Sequence, residues 1–77
     1  MNRERRKELA AVMVKLDEVI NQLQQISEDE QNAFDNLPEG IQESERGEQM
    51  QTYADAIADI ASTLEDQNIE LDEIING

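Results

Sequence analysis

Apolar residues that recur at alternating steps of three and four are the feature that most constrains this chain. The first run is Leu9, Val12, Leu16, Val19, Leu23 and Ile26. The second run is Met50, Tyr53, Ile57, Ile60, Leu64, Gln67, Leu71 and Ile74, with Gln67 as its one polar member. This spacing places a single apolar stripe on an α-helix and is typical of helices that pack lengthwise. The sequence therefore predicts an all-α fold with two long helices.

A segment rich in helix-breaking residues separates the two runs. Pro38 cannot continue a helix and holds the residue before it in extended geometry, so we expect helix 1 to span about residues 3–35. Residues 36–47 then form the connector, and helix 2 spans about residues 45–75. Ser44 is the expected N-cap of helix 2, because its hydroxyl can accept a bond from an unpaired backbone N–H. The chain is a single domain of this kind.

Three local alternatives accompany this division. Ser27 and Glu30 imitate a capping box, which would start a new helix, but the apolar repeat continues through them and predicts one unbroken helix. Gly47 is the alternative cap for helix 2. Residues 38–42 could form a single helical turn inside the connector.

Two helices of similar length joined by about a dozen residues predict an antiparallel hairpin. Residues whose numbers sum to about 83 should face one another, which places Glu30 near Tyr53, either hydrogen-bonded to its hydroxyl or with both at an exposed margin. Further apolar residues widen both stripes: Met13, Ile20, Phe34, Ala54, Ala61 and Ile75. A lone hairpin would leave much of this surface in water, so we expect a homodimer that forms a four-helix bundle.

The composition argues against enzymatic chemistry. Histidine and cysteine are absent, which removes the usual ligands of zinc, haem and iron–sulfur clusters and the usual bases that activate a nucleophile. Asp55 and Asp59 could share a helix face, but no histidine or converging carboxylate accompanies them. We therefore expect no metal, no cofactor and no catalytic residues.

The net charge of −13 argues against direct binding of nucleic acid, which requires clustered Lys and Arg. No apolar run approaches the roughly 18 residues of a membrane span. The basic N-terminus leads into a short apolar stretch, but Lys15 and Asp17 end that stretch before it resembles a secretory signal. We expect a cytoplasmic protein that binds neither nucleic acid nor membranes directly.

Two sets of residues are candidates for binding a partner protein. Acidic side chains along a rigid helix can imitate the phosphates of DNA, and the candidates are Asp55, Asp59, Glu65 and Asp66. The alternative is that the acidity only keeps the protein soluble. The connector is the second candidate, as a recognition tip on a rigid scaffold, with Leu37, Pro38, Ile41, Ser44 and Arg46. Its alternative role is structural, with Leu37 and Ile41 closing the end of the bundle.

The connector and its flanks carry a resemblance. The segment from Ala33 to Met50, AFDNLPEGIQESERGEQM, resembles the central signature of a family of short acidic proteins encoded by phages and prophages of Gram-positive bacteria. No activity is assigned to that family, so the resemblance implies a setting, the cytoplasm of a bacterial host. In that setting we expect an inhibitor that binds a host or antiviral protein that handles nucleic acid. The alternatives are a bundle-forming assembly adaptor and an accessory to phage DNA metabolism.

Overall fold

The computed structural model describes residues 1–77 and contains three helices and no strand. Helix α1 spans Arg3–Asp35, α2 spans Glu39–Gln42 and α3 spans Glu45–Asn76. The two long helices pack antiparallel along a rod that measures 58 by 15 by 12 Å. The predicted all-α helical hairpin is confirmed, and α1 continues without a break through Ser27. None of the helices combines the length and the apolarity that crossing a membrane requires.

Side-chain caps fix the N-terminal ends of both long helices. The Asn2 side chain accepts a hydrogen bond from the Arg5 amide at 2.8 Å. Ser44 has extended backbone geometry, and its hydroxyl oxygen accepts from the Gly47 amide at 3.4 Å. The same hydroxyl donates to the Ile41 carbonyl. Ser44 is therefore the N-cap of α3, as predicted, and it also ties α3 to the connector.

The connector folds into the single helical turn α2, which closes the end of the hairpin. The last carbonyls of a helix lack partners within it, and here the Gln42 side-chain amide donates to the carbonyls of Phe34 and Asp35 at 3.1 and 3.3 Å. Leu37 is half-buried against this end, whereas Ile41 is 42% exposed. The expectation that Ile41 helps to close the bundle end is therefore wrong, because Gln42 occupies that role through hydrogen bonds.

The contact between α1 and α3 uses one of the two predicted apolar rows. We call this row the leucine row; its members are half-buried and are Leu9, Leu16, Leu23, Glu30, Leu37, Met50, Ile57, Leu64 and Leu71. The other predicted row faces solvent, and its apolar members are Val12, Val19, Ile26, Tyr53, Ile60 and Ile74, with exposed fractions between 45% and 53%. Tyr53 thus lies at an exposed margin and forms no hydrogen bond with Glu30. The predicted contact was wrong in this second row.

A second row on α3, made mostly of small residues, lies in the contact in place of the row that faces solvent. It consists of Gly47, Ala54, Ala61 and Asn68, all buried and spaced by seven. Opposite this small-residue row, Ile20 on α1 is 2% exposed. The Ser27 hydroxyl donates to the Ala54 carbonyl at 2.7 Å, a bond that requires the two backbones to lie close together. Small side chains permit that approach, so the tighter packing places the larger β-branched residues outside.

Candidate interaction surfaces

Hydrogen bonds between α1 and α3 define one broad face of the hairpin. Gln24 donates to the Glu65 carboxylate at 2.7 Å, and the amides of Gln31 and Gln51 exchange two hydrogen bonds of 2.9 and 2.6 Å. Each of these four residues follows a member of the leucine row by one position. We call this side of the hairpin the polar face.

The exposed apolar residues lie on the opposite face. A residue one position after the leucine row is rotated by about 100° around its helix, and one three positions after it is rotated by about 60° in the other direction. Residues one position after the leucine row meet across the hairpin on the polar face. Residues three positions after the row are rotated the opposite way in both helices, so they share the opposite face. This apolar face consists of Val12, Val19, Ile26, Tyr53, Ile60 and Ile74.

The carboxylates avoid the apolar face. Thirteen of the 19 acidic residues lie on the two long helices one, two or five positions after the leucine row or its continuation in steps of seven. This places them on the polar face and along the outer edges. This acidic surface consists of Glu4, Asp17, Glu18, Glu28, Asp35, Glu45, Glu48, Asp55, Asp59, Glu65, Asp66, Asp72 and Glu73. On the apolar side the charges balance, with Arg5, Lys15 and Arg46 against Glu8, Asp29 and Glu70.

The four acidic residues singled out from the sequence all lie exposed on α3 within the acidic surface. Asp55 accepts a hydrogen bond from the Gln51 amide at 3.0 Å, and Glu65 accepts the bond from Gln24. Asp59 lies one helical turn beyond Asp55, and Asp66 lies three turns beyond it. The structure therefore places Asp55, Asp59, Glu65 and Asp66 along one continuous side of the rod.

The connector residues form a separate surface at one end of the rod. Pro38, Ile41 and Arg46 are exposed there, whereas Leu37 and Ser44 are half-buried. The Ser44 hydroxyl is already engaged in capping, which leaves the other three exposed residues as the accessible part of the tip. The acidic set lies between 9 and 20 residues beyond Arg46 on α3, about 14 to 30 Å along the helix, so the two candidate sets occupy different parts of the rod.

The arrangement offers extended, exposed surfaces for binding. No set of three or more carboxylates converges to hold a metal ion. Two depressions are open to solvent, one lined by Gln24, Ser27, Glu28, Ala58, Ser62 and Glu65 on the polar face, and the other beside Arg5 and Val12. No protein-family model, curated protein or solved structure matches this chain.

The apolar face is the surface that the sequence reasoning missed. The sequence predicts these residues inside the hairpin because they alternate with the leucine row at steps of three and four. The signal that identifies the true contact is the seven-residue spacing of Gly47, Ala54 and Ala61, since small residues in that pattern mark where two helices approach most closely. Placing these three inside moves Val19 and Ile60 outside.

Proposed function

We propose that this chain is a non-enzymatic interaction protein that binds a basic surface of another protein through its acidic surface. The partner is a protein that handles nucleic acid, and the chain occupies the place of the nucleic acid. The observation that carries this proposal is the segregation of charge, because the carboxylates collect on one side of a rigid rod while the opposite side is apolar and neutral. This confinement concentrates the negative charge into one array along the rod, which a basic groove can contact as a unit.

The density of negative charge supports imitation of a nucleic acid. The acidic surface extends from Glu4 to Asp35 on α1, which is about 47 Å at 1.5 Å per residue. Thirteen carboxylates over that length, less Arg3 and Lys7 on the same side, leave about one net negative charge per 4.3 Å, nearer to the 3.4 Å of one strand of B-DNA than to the 1.7 Å of the duplex. A partner groove that accepts a single strand is therefore the better match. Such arrays accelerate association with basic surfaces and depend on salt concentration.

The resemblance of residues 33–50 to a family of phage and prophage proteins suggests the biological setting. In the cytoplasm of a bacterial host, a phage protein of this kind would act on a host or antiviral enzyme by occupying its nucleic-acid site. That action requires a shaped and charged surface and no catalysis of its own.

A second candidate function is an assembly adaptor, and the apolar face is the observation that favours it. An adaptor would gain its binding energy from buried apolar area, which salt affects weakly, whereas the acidic surface would gain it from charge, which salt screens. The two functions therefore differ in their dependence on ionic strength.

The test compares the chain with a variant whose acidic surface is reversed, carrying Asp55→Lys, Asp59→Lys, Glu65→Lys and Asp66→Lys. All four positions are exposed, so the helices should be retained, and circular dichroism checks this. Each protein is immobilised, exposed to host lysate and washed with rising salt. We expect the unchanged chain to retain a nucleic-acid-binding protein that single-stranded DNA displaces and that elutes as salt rises. The reversed variant should retain none of it.

Substitutions in the connector serve as the matched control. Ile41→Asp and Arg46→Glu alter exposed residues at the tip and leave the acidic surface intact, so they should retain the partner. Retention by the reversed variant at all salt concentrations, or loss of the partner in the connector variants alone, would contradict imitation of nucleic acid and favour the connector or the adaptor function.

A further inference from the structure

We propose that the apolar face binds the same face of a second copy of this chain, so that the working protein is a four-helix bundle. This inference does not depend on the proposed function, because it concerns the side of the hairpin opposite the acidic surface. It assigns Val12, Val19, Ile26, Tyr53, Ile60 and Ile74 to a dimer interface.

A single hairpin buries too little apolar surface to account for a stable fold. The buried apolar residues are Ile20, Ala54 and Ala61, and no large side chain is fully buried. The accessible surface is 5748 Å², whereas a compact monomer of 8.8 kDa should expose about 4,800 Å². The excess of about 1,000 Å² is surface that the chain would be expected to cover, and short chains without disulfides or metals commonly do so by oligomerisation.

The exposed area is sufficient for a specific dimer. The six side chains of the apolar face are each about half exposed. At roughly 85 Å² each they present about 500 Å² per copy, so two copies would bury about 1,000 Å² in total from these residues alone, which is the area that a specific interface should reach, and neighbouring side chains would add to it. The face runs from Val12 to Ile26 on α1 and from Tyr53 to Ile74 on α3. The longer stretch covers about 32 Å at 1.5 Å per residue, so the contact would extend along about half of the 58 Å rod.

The distribution of charge favours a second copy over other occupants. Two chains of −13 repel each other strongly unless their carboxylates point apart, and the acidic surface lies away from the apolar face in each copy. The apolar side carries equal numbers of basic and acidic residues at its margins, so no net charge on that side opposes the pairing of two copies. An anionic membrane would repel the net charge, and a basic partner would be attracted to the other side of the hairpin.

Gln67 is consistent with this arrangement. It is the polar member of the row that forms the apolar face, and it lies exposed between Ile60 and Ile74. A single polar residue inside an otherwise apolar interface selects the alignment of the two copies in which its amide finds a partner. The dimer would also carry an acidic surface on each of its two outer sides.

The first measurement is the mass of the protein in solution. Size exclusion with light scattering, at protein concentrations from about 1 to 200 µM, should give about 18 kDa at the upper end, twice the chain mass of 8.8 kDa. Ile60→Glu places a charge within the apolar face and should weaken the dimer at least 100-fold. Ala58→Glu adds the same charge to the exposed polar face and should leave the dimer unchanged.

The second measurement keeps the test valid if Ile60→Glu prevents folding. The chain has no cysteine, so Ile60→Cys and Ala58→Cys each introduce a single thiol at an exposed site. If the dimer covers the thiol of Ile60→Cys, its rate of labelling by a maleimide should fall at least tenfold as the protein concentration rises from 1 to 200 µM. The rate at position 58 should not change.

Several results would overturn the proposal. A monomer mass at 200 µM would leave the apolar face to a different occupant. A dimer that Ala58→Glu disrupts and Ile60→Glu does not would place the interface on the polar face. Equal labelling of both thiols at all concentrations would show that the apolar face stays open to solvent.

Discussion

Gly47 provides the sharpest test of the close packing between α3 and the connector. An alanine in place of a glycine inside a helix ordinarily stabilises the protein by about 1 kcal/mol. At Gly47 an added Cβ would clash with the Gln42 carbonyl oxygen and lie 2.5 Å from the Ile41 carbonyl oxygen. Both are backbone atoms, so the connector would have to move as a unit. We therefore expect Gly47→Ala to destabilise the protein.

The size of the effect follows from two opposing contributions. Overpacking at a site enclosed by backbone costs about 1–3 kcal/mol, and the helix propensity of alanine recovers about 1 kcal/mol of that. The upper part of this range applies, because the clashing atoms belong to a turn that is held by the Ser44 and Gln42 hydrogen bonds. The expected loss is about 2 kcal/mol, or about 10 °C in Tm for a chain of this length.

Gly40 is the matched control. It lies in the short helix α2, its φ is negative, and an added Cβ would meet no atom within 4 Å. Gly40→Ala should therefore be neutral or raise the free energy of unfolding by up to about 1 kcal/mol. Thermal and urea unfolding followed by circular dichroism, at one fixed protein concentration, measures both variants. Equal stabilisation by the two substitutions would refute the close approach of α3 to the connector.

Two further predictions concern helix packing and capping. Ala61→Leu places a large side chain where α1 and α3 approach most closely and should lower the free energy of unfolding by about 2–3 kcal/mol. The control Ala58→Leu, on the exposed polar face, should change it by less than about 0.5 kcal/mol. Equal effects of the two substitutions in urea unfolding would contradict the close packing of the small-residue row. Ser44→Ala removes the cap of α3 and should cost about 1 kcal/mol, while Ser62→Ala, at an exposed position inside α3, should cost nothing in thermal melts. A Ser44→Ala variant as stable as the unchanged chain would mean that another group caps α3.

The helices could be predicted from the sequence because local rules decide them. Pro38 ends one helical pattern, Ser44 can cap the next, and the apolar periodicity between these points has a helical period. These features act within a few residues and need no knowledge of the partner helix. The hairpin followed from the short connector.

The rotation of each helix about its axis could not be predicted in the same way. The repeat offers two rows beside the leucine row, and the alternation of three and four predicts burial of the row that contains Val19 and Ile60. Burial of those residues favours that choice, but close contact of the backbones at Ala54 and Ala61 favours the other. Two helices gain from close contact, and the excluded row can still be covered by a second hairpin. The sequence-based choice thus neglected the distance between backbones.

Asn68 interrupts the small-residue row with a buried polar side chain. Its amide nitrogen donates to the Asp17 carboxylate at 2.8 Å and to the Met13 carbonyl at 3.4 Å. Its own oxygen is buried without a hydrogen-bond partner. The working part of the amide is therefore its donor, which holds the carboxylate of Asp17 against α3.

Asn68→Asp removes that donor at almost unchanged volume and places two carboxylates in contact. Like charges about 4 Å apart repel by about 4 kcal/mol at an effective dielectric constant of 20. Solvent at the exposed Asp17 screens this repulsion, so we expect the free energy of unfolding to fall by about 2 kcal/mol at pH 7. Protonation of either carboxyl restores a donor, so the deficit relative to the unchanged chain should shrink as pH falls. Asn76→Asp is the matched control, because Asn76 donates to the Asp72 carboxylate at 3.1 Å in an exposed position, and it should cost less than about 1 kcal/mol. Urea unfolding of both variants at pH 7 and pH 4 measures their free energies of unfolding relative to the unchanged chain. If Asn68→Asp loses the same stability at both pH values, lost packing and not the contact with Asp17 destabilises the variant.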